Sequence, residues 1–155
     1  TTRGIPQVYY GTEVLMAGDR NQDDGFIRAD FPGGWYNDPA NAFLPSSRTA
    51  LQNEAWGFMR KLLQWRKTSL PVTEGKLTHY TPEDEVYVYA RSKGDKTVLV
   101  ILNGSYEEKN LAMKRFHEVT GNSLSGKDII TGTRINIEKS VRVPPKGVYV
   151  LELEK

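Results

Sequence analysis

The chain has 155 residues, of which 38% are hydrophobic and 10% aromatic, and its formal net charge is +2. This composition excludes a wholly disordered or collagen-like protein, and the balanced charge gives no indication of a nucleic-acid or membrane-surface partner. The chain has no cysteine, which excludes disulfides and thiolate metal sites, and no apolar run of the length that spans a bilayer. It opens on Thr-Thr-Arg, without an initiator methionine or a signal peptide, so we expect a piece of a longer protein whose compartment stays open.

The first predicted element is a β-strand at residues 5–10, an apolar run that ends at Gly11. Continuous apolar runs of this kind are typical of strands buried on both faces, which have neighbouring strands on both sides. From about Val14 to Ser47 the chain is then polar and rich in Gly and Pro. Because this stretch also carries many aromatic residues, which disordered linkers lack, we expect an ordered loop packed on another part of the protein.

The clearest helix follows the loop. Thr49 and Gln52 have the spacing of a capping box, in which each side chain satisfies an orphan amide of the first turn. Apolar residues then recur at helical spacing and predict one buried stripe: Leu51, Ala55, Phe58, Met59 and Leu62. Basic residues gather toward the end of the helix, where cations suit the helix dipole, and Pro71 is expected to end it.

Beyond Gly75 the sequence alternates with period two, which predicts β-strands. In the run EVYVYARS, the predicted strand has Val86, Val88 and Ala90 on one face and Tyr87, Tyr89 and Arg91 on the other. The run KTVLVILN predicts a central strand, and further short strands are predicted in KNLAMKRF, KDIITG, TRINIE, SVRVP and GVYVLELE. About seven or eight short strands with regular turns indicate an antiparallel β-sandwich of Greek-key type.

Several stretches of the chain resemble, in order, the C-terminal part of α-amylase family glycoside hydrolases. RGIPQVYYGTE, from Arg3 to Glu13, resembles the segment at the eighth and last barrel strand of that family. DDGFIRADFPGGW, from Asp23 to Trp35, is similar to the following loop in the neopullulanase and cyclomaltodextrinase branch. NEAWGFMRKLLQWRKTSLPVTEGKL resembles the last barrel helix of this branch, and VPPKGVYVLEL resembles the final strands of its C-terminal domain. The resemblance covers essentially the whole chain.

The resemblance implies a mainly β fold with two parts. Residues 1–70 would be the last strand, loop and helix of an incomplete catalytic (β/α)8 TIM barrel, and residues 71–155 a C-terminal all-β sandwich domain. The resemblance also implies that the parent protein is a retaining α-glucan hydrolase. The catalytic carboxylates of that family follow the fourth, fifth and seventh barrel strands, which have no counterpart here, so this fragment is expected to be inactive alone.

The partner that the resemblance implies is an α-glucan or maltooligosaccharide, bound through the parent barrel, with no nucleic acid and no membrane. No cofactor is assigned to this chain, and calcium is left open for the parent enzyme. An isolated fragment would expose the apolar strand 5–10 and the helical stripe 51–62, so we expect it to self-associate through these segments or to be loosely ordered there.

The loop after the first strand occupies the position where barrel active sites form, at the C-terminal ends of the strands. The resemblance therefore makes five residues candidates for the rim of a substrate groove: Tyr10, Glu13, Arg28, Asp30 and Trp35. Trp35 offers a flat aromatic face for a glucose ring, or it simply anchors the loop. Glu13 and Arg28 are expected to form an ion pair that holds the loop. In a strand, Tyr10 and the tyrosine before it would point to opposite faces, and we take Tyr10 as the one facing the barrel interior.

The stretch DRNQDDG matches only the start of a calcium-binding loop. Asp19, Asn21 and Asp23 fall at ligand positions, but Asp24 stands where the motif needs Gly and Asp30 where it needs a bidentate Glu. The motif therefore lacks its sharp turn and its strongest ligand. A solvated acidic loop is favoured, and no metal site is assigned.

Two other functions stay open for the β-domain: a non-catalytic carbohydrate-binding module, and a purely structural cap for the barrel, which we favour. The candidate platform residues for sugar binding are Tyr80, Tyr87, Tyr89 and Tyr106. All tryptophans lie at 35, 56 and 65, outside the predicted sandwich, so a sugar-induced change in their fluorescence would report on the loop or the helix. Asn-Gly-Ser at 103–105 fits a glycosylation acceptor, but Asn-Gly favours a hairpin turn.

Overall fold

The computed structural model describes residues 1–154. The chain divides into two compact units, one formed by residues 5–61 and the other by residues 1–4 together with residues 62 onward. No helix among the described residues is both long and apolar enough to cross a membrane.

The unit 5–61 has little regular structure before its helix. It contains two 3-10 turns, Thr12–Val14 and Pro45–Ser47, and one short helix, α1, Asp24–Ile27. The strand predicted at residues 5–10 is wrong for this structure, because the segment pairs with no strand among residues 1–154 and the Ile5 side chain is 96% exposed. A strand of a parallel sheet exists only through hydrogen bonds to its neighbours, and an apolar sequence alone does not create it.

The predicted packing of the long loop on another part of the protein stays a prediction, because little of the loop is buried within this unit. Among its apolar residues only Val14 and Ala42 are buried. The larger side chains are exposed: Phe26, Ile27, Trp35, Tyr36, Phe43 and Leu44. The loop nevertheless has defined turns, so its order comes from backbone and polar side-chain hydrogen bonds rather than from an apolar core.

The long helix α2, Ala50–Thr68, begins as predicted. Gln52 Oε1 accepts from the Thr49 amide at 2.9 Å, and Thr49 Oγ1 accepts from the Gln52 amide at 3.2 Å, which is the reciprocal capping box. The predicted stripe is not buried within this chain, since Leu51 and Phe58 are exposed. Pro71 does not simply end the helix: α2 stops at Thr68, and Pro71 lies in the first turn of a second helix, α3, Leu70–Glu74. Proline is tolerated there because the first-turn amides have no intrahelical acceptor.

Eight strands follow, all paired antiparallel. They are β1 Lys76–His79, β2 Val86–Lys93, β3 Lys96–Asn103, β4 Lys109–Ala112, β5 Ser125–Asp128, β6 Arg134–Asn136, β7 Ser140–Val143 and β8 Val148–Glu154. Six strands form one sheet in the order β1-β2-β3-β8-β5-β6, and β4 pairs with β7 in a second sheet. The prediction of a mainly β, antiparallel fold is confirmed, whereas the Greek-key connection stays a prediction.

Two predicted strands end early. In KNLAMKRF the strand stops at Ala112 and gives way to a 3-10 turn, Met113–Phe116, and then to helix α4, His117–Thr120. Met113 and Phe116 are both buried, and a helical turn places residues three apart on one face, whereas a strand would point them to opposite faces. In KDIITG the strand stops at Asp128, whose carboxylate accepts from the Thr131 amide at 3.0 Å and turns the chain.

The large sheet has a core on each face. The first core lies between the sheets and contains Val86, Val88, Ala90, Leu99, Ile101, Val141, Val143 and Leu151, closed by Met113, Phe116 and Ile137. The second core covers the opposite face and contains Tyr89, Val98, Val100 and Val150, with Val72 from α3 and Ile129. The predicted alternation along β2 is therefore confirmed, with both faces buried rather than one.

Candidate functional site

The loop that carries the predicted site begins with a tight turn at Gly11. This residue is buried and has φ +82°, and a Cβ on it would lie 2.3 Å from Met16 Sδ. The Gly11 carbonyl accepts hydrogen bonds from the amides of Val14 at 3.1 Å and Met16 at 2.9 Å. Only glycine combines this left-handed conformation with such close contact, so the sequence Tyr-Gly-Thr-Glu specifies the turn.

The Tyr10 side chain, next to this turn, has a hydrogen-bond partner in the loop. Its hydroxyl donates to the carbonyl of Ala29 at 2.9 Å, which fastens the start of the loop to the segment after α1. The rings of Tyr9 and Tyr10 are 4.7 Å apart, so the two side chains do not point to opposite sides as a strand would require. That prediction is wrong because no strand forms here. The Tyr9 side chain raises the pKa of Tyr10, chiefly through a hydrogen bond.

Arg28 does not pair with Glu13, as the sequence suggested. Its guanidinium lies 2.8 Å from a carboxylate oxygen of Asp24, one helical turn earlier, and both groups are largely exposed. Asp24 is four residues from Arg28 on the same helical turn, so this i,i+4 pair forms without ordering the chain between distant residues. It is therefore favoured over a pair between Arg28 and Glu13. Asp30 is exposed, and Glu13 is half-buried beside the Gly11 turn.

Trp35 is 67% exposed, and its ring makes no aromatic contact among the described residues. Its backbone, however, is fixed by Asp38, whose Oδ2 accepts from the amides of Gly33 at 2.6 Å and Trp35 at 3.0 Å. Gly33 has φ +101°, and a Cβ there would lie 2.4 Å from Asn41 Oδ1. The pair Gly33-Gly34 and Asp38 thus hold the tryptophan on a rigid turn with its face open to solvent.

Sequence reasoning missed Asp38 and also Arg48. Arg48 is buried, its Nε donates to Asn53 Oδ1 at 2.9 Å, and its guanidinium lies 4.4 Å from the centre of the Trp56 ring. Asp38 gave no clear local signal, because it accepts from amides three and five residues before it, whereas the usual Asp turn binds an amide two residues further on. No sequence pattern around Arg48 predicts its burial, because its contacts, Asn53 and Trp56, depend on the position of α2.

The stretch DRNQDDG, residues 19–25, which matches the start of a calcium-binding loop, is held by local hydrogen bonds. Asp19 accepts from the Asn21 amide at 2.9 Å and from Gln22 Nε2 at 3.2 Å, and the backbone bond chiefly lowers the pKa of Asp19. Asp23 caps α1 by accepting from the Gly25 amide at 2.9 Å. Within residues 1–154, no three His, Asp or Glu side chains are grouped so that they could hold a metal ion.

The tyrosines of the β-domain do not form an exposed platform. Tyr89 is buried in the second core, and Tyr87 is packed against the same core with its ring 5.4 Å from that of Tyr89. Tyr80 packs edge-on against Phe116 and donates to Glu118 at 2.8 Å; burial and this bond raise the pKa of Tyr80. Only Tyr106 of the four is exposed, and its ring is covered by the ammonium group of a lysine.

Trp65, on α2, packs against the β-domain (residues 71–155), contrary to the expectation that no tryptophan would report on it. Its indole packs against the second core, and its Nε1 donates to Glu152 at 2.7 Å on β8. The Asn-Gly-Ser site is likewise corrected. It does not form a hairpin, because β3 pairs with β2 and β8, and Asn103 is 4% exposed with its amide bonded inside the domain.

The chain was compared with known proteins. The family model of the cyclo-malto-dextrinase C-terminal domain matches residues 77–152. An α-amylase of Niallia circulans is 28% identical over 141 residues, which cover 86% of this chain and 23% of that protein. A cyclomaltodextrin glucanotransferase of Klebsiella oxytoca is 32% identical over 118 residues, which cover 73% of this chain and 16% of that protein. The chain corresponds to the C-terminal part of an α-amylase family protein.

Solved α-amylase family structures share the fold. The α-amylase of Geobacillus thermoleovorans, complexed with acarbose, gives a TM-score of 0.72 at 17% identity over 98% of this chain and 30% of that one. A cyclomaltodextrin glucanotransferase with a three-domain ABC distribution gives 0.72 at 23% identity over 100% of this chain and 30% of that one. These two likenesses are of the fold alone, and the chain spans less than a quarter of the length of the curated relatives named above.

Proposed function

We propose that the chain is the C-terminal part of a retaining α-glucan hydrolase of neopullulanase-like specificity. In this proposal, residues 1–70 supply the last strand, loop and helix of its (β/α)8 barrel, and residues 71–155 form its Greek-key β-sandwich. The observation that carries the proposal is the family match over 77–152, within a chain that follows the fold of solved α-amylases over nearly its whole length. Neighbouring structures bound to maltose, maltotriose or acarbose support an α-glucan oligosaccharide as the substrate.

The exposed apolar segment 5–10 supports this assignment. Its side chains face solvent, and its backbone makes no ladder with residues 1–154. An apolar run costs free energy in water, at about 25 cal/mol per Å² of apolar surface, and barrel strands remove that surface. The proposal accounts for the exposure, because the neighbouring strands of the barrel would belong to the rest of the parent protein.

We propose that this polypeptide alone does not hydrolyse glucans. Retaining glycosidases need a nucleophilic carboxylate about 5–5.5 Å from a carboxylic acid, and the family's positions for these groups have no counterpart in the sequence. The test is to incubate the purified chain with starch, pullulan or cyclodextrin and to measure new reducing ends. We expect no release above that of a heat-denatured sample. Release proportional to the amount of native chain would overturn the assignment.

Five residues of the loop are proposed to border the glucan groove of the parent enzyme: Tyr10, Glu13, Arg28, Asp30 and Trp35. Trp35 is the strongest of them, because Asp38 fixes its backbone while its ring stays open, and such a ring stacks on the apolar face of a sugar. In the parent enzyme, Trp35→Ala is expected to raise KM for maltooligosaccharides about tenfold. The exposed Tyr106 of the β-domain serves as control, and Tyr106→Ala should leave KM unchanged. An unchanged KM in Trp35→Ala would assign Trp35 a purely loop-anchoring role.

For the β-domain we propose a structural role rather than sugar binding. The burial of Tyr89 in the second core and the packing of Tyr87 against it support this, because a platform needs exposed rings. Titration with maltooligosaccharide should leave the fluorescence of Trp65 unchanged in a Trp35→Phe, Trp56→Phe background. A saturable change there would favour the binding-module alternative.

The isolated chain is also proposed to self-associate through its exposed apolar segments, 5–10 and 51–62. Ile5, Leu51 and Phe58 are all exposed. Sedimentation velocity over a range of concentrations should show association, which Ile5→Ser with Leu51→Ser should weaken. A monomer at all concentrations would contradict this proposal and leave the family assignment intact.

A further inference from the structure

Arg48 joins the start of α2 to the loop that carries Trp35. It is only 7% exposed. In α2, its partners are Asn53, whose Oδ1 accepts from Arg48 Nε at 2.9 Å, and Trp56, whose ring centre lies 4.4 Å from the guanidinium. In the loop, Arg48 Nη1 donates to the carbonyl of Ala42 at 3.3 Å, in a buried bond. The planar fork of an arginine can bond two segments at once, and here it bonds the helix and the loop.

The bond from Arg48 reaches the loop at the residue where the loop closes. The Ala42 amide donates to the carbonyl of Pro32 at 2.9 Å, so these two residues form the base of a closed loop, residues 32–42, which we call the Trp35 loop. The rings of Phe31 and Phe43, the next residues outward, lie 4.9 Å apart. Ala42 is itself 6% exposed. Arg48 therefore holds the base of the Trp35 loop, rather than its tip, to α2.

Two polar side chains connect the base of the Trp35 loop to the tryptophan. Asn41, next to Ala42, lies against Gly33, where a Cβ would come within 2.4 Å of Asn41 Oδ1. Asp38 Oδ2 accepts from the amides of Gly33 at 2.6 Å and Trp35 at 3.0 Å. Gly33 is thus held by both side chains, and it lies two residues before Trp35. The position of the Trp35 backbone therefore depends on the base that Arg48 holds.

We propose that Arg48 is a positioning residue for Trp35: it fastens the base of the Trp35 loop to α2 and so holds the indole where a glucan meets it. The inference rests on the proposed place of Trp35 in the glucan groove. A ring that is held before the sugar arrives loses less conformational entropy on binding than a ring on a loose loop. The support is a helix of 19 residues, and functional side chains supported by helices are placed more precisely than those on loops alone.

The first test measures amide hydrogen exchange by NMR in the whole chain, without sugar. Arg48→Met keeps an unbranched side chain but loses all the donors. The amides of Trp35 and Ala42 are expected to exchange at least about fivefold faster in this variant, because the bond that holds the loop base is lost. The Met16 amide is the internal control: it is bonded at 2.9 Å within the Gly11 turn of the same unit, and its exchange should not change.

The second test is kinetic and uses the longer parent enzyme. Arg48→Met is expected to raise KM for maltooligosaccharides about two- to tenfold and to leave kcat nearly unchanged, because a binding side chain must be ordered and no reacting group moves. In a Trp35→Ala background, Arg48→Met should raise KM no further, since the ring that it positions is gone.

Arg60→Met is the matched control for the kinetic test. Arg60 is an exposed arginine of α2 whose guanidinium lies 5.2 Å from the centre of the Trp56 ring. It follows Trp56 by one helical turn, whereas Arg48 precedes the helix. Arg60→Met should therefore leave KM unchanged. An equal rise of KM in Arg48→Met and Arg60→Met would overturn the inference, because contact with Trp56 alone would then explain it.

Three other results would overturn the inference. The first is unchanged exchange at Trp35 and Ala42 in Arg48→Met. The second is an unchanged KM in Arg48→Met where Trp35→Ala raises it. The third is a double variant in which the two effects on KM multiply, because Arg48 would then act independently of Trp35. If Trp35→Ala itself leaves KM unchanged, the proposed place of Trp35 in the groove fails, and the exchange rates alone decide whether Arg48 positions the loop.

A second variant covers the case in which Arg48→Met disrupts the whole unit, which faster exchange at Met16 would reveal. Arg48→Lys keeps the charge but lacks the planar fork that reaches Asn53 and Ala42 together. It should likewise speed exchange at Ala42 and raise KM. Parent-like exchange and KM in Arg48→Lys would then overturn the inference.

Discussion

Replacement of Asn103 is expected to destabilise the β-domain strongly, because one amide links three backbone segments. Nδ2 lies 2.8 Å from the carbonyl of Glu107, 3.1 Å from that of Val143 and 2.9 Å from that of Pro144, so its two N–H groups are shared among three acceptors. Oδ1 accepts from the Ser105 amide at 2.8 Å. The side chain thus ties the end of β3 to the connection that follows and to the end of β7.

The magnitude follows from how many of these bonds are buried. The bonds to Val143 and Ser105 are buried, and a buried partner left unpaired costs about 1–3 kcal/mol. The carbonyls of Glu107 and Pro144 are bonded at partly buried positions, where water can replace the lost donor. We therefore expect Asn103→Ala to lower the free energy of unfolding by about 2–4 kcal/mol. Asn103→Asp, which keeps the acceptor and loses the donors, should cost a similar amount at pH 7.

The assay is urea unfolding at pH 7, followed by far-UV circular dichroism and by tryptophan fluorescence. Asn110→Ala is the matched control, because Asn110 is exposed on β4, and its effect should stay within about 0.5 kcal/mol. The reasoning is refuted if Asn103→Ala destabilises the chain no more than Asn110→Ala does. Full stability in Asn103→Asp would show that the donated bonds carry little of the effect.

Three further changes test other contacts. Trp65→Phe keeps a six-membered aromatic ring but loses the indole N–H that is bonded to Glu152, so urea unfolding should show a loss of about 1.5–3 kcal/mol. Gly11→Ala should make the loop of residues 5–61 more sensitive to limited proteolysis, because the turn needs φ +82° and has no room for a Cβ. Arg134 chiefly lowers the pKa of Glu154, so the stability it contributes is present above the unfolded pKa near 4.5 and is lost as the pH falls through the lower folded value. Arg134→Gln should therefore flatten the acid side of a plot of urea midpoint against pH.

Each of these tests has a control in the chain. Trp56→Phe changes a tryptophan of the unit 5–61, whose ring lies against Arg48 and Arg60, and it should not reproduce the loss seen in Trp65→Phe. Gly57→Ala, at an exposed helical position with free space around it, should stabilise α2 by about 0.5–1 kcal/mol. Arg142→Gln, at an exposed position outside the Glu154 pair, should leave the pH profile unchanged. Equal effects of a variant and its control would reject the corresponding contact.

The sequence predicted best those features that depend on neighbouring residues. The start of α2 was predictable because the capping box is completed within four residues, Thr49 to Gln52. The alternation along β2 was predictable because period two is a property of any strand. The end of β4 was not, since the turn at Met113 is set by the need to bury two side chains in a core made largely by other strands.

The candidate site was less predictable for the same reason. The Gly11 turn follows from its own residues, but the choice of Arg28 between Glu13 and Asp24 depends on α1, which places Asp24 one helical turn before the arginine. The segment 5–10 shows the limit most clearly, because its state depends on strands that must pair with it. Arg91 was predicted only to share a face of β2 with two tyrosines, and nothing local indicated its complete burial.

The edge strands of the six-stranded sheet are β1 and β6, which are four and three residues long. Each begins with an exposed cation, Lys76 or Arg134. Short, charged edge strands offer few free amides and carbonyls to a strand of another molecule, and natural proteins use them to prevent edge-to-edge aggregation. Neither edge of the six-stranded sheet therefore offers a long row of free backbone groups to a strand of another molecule.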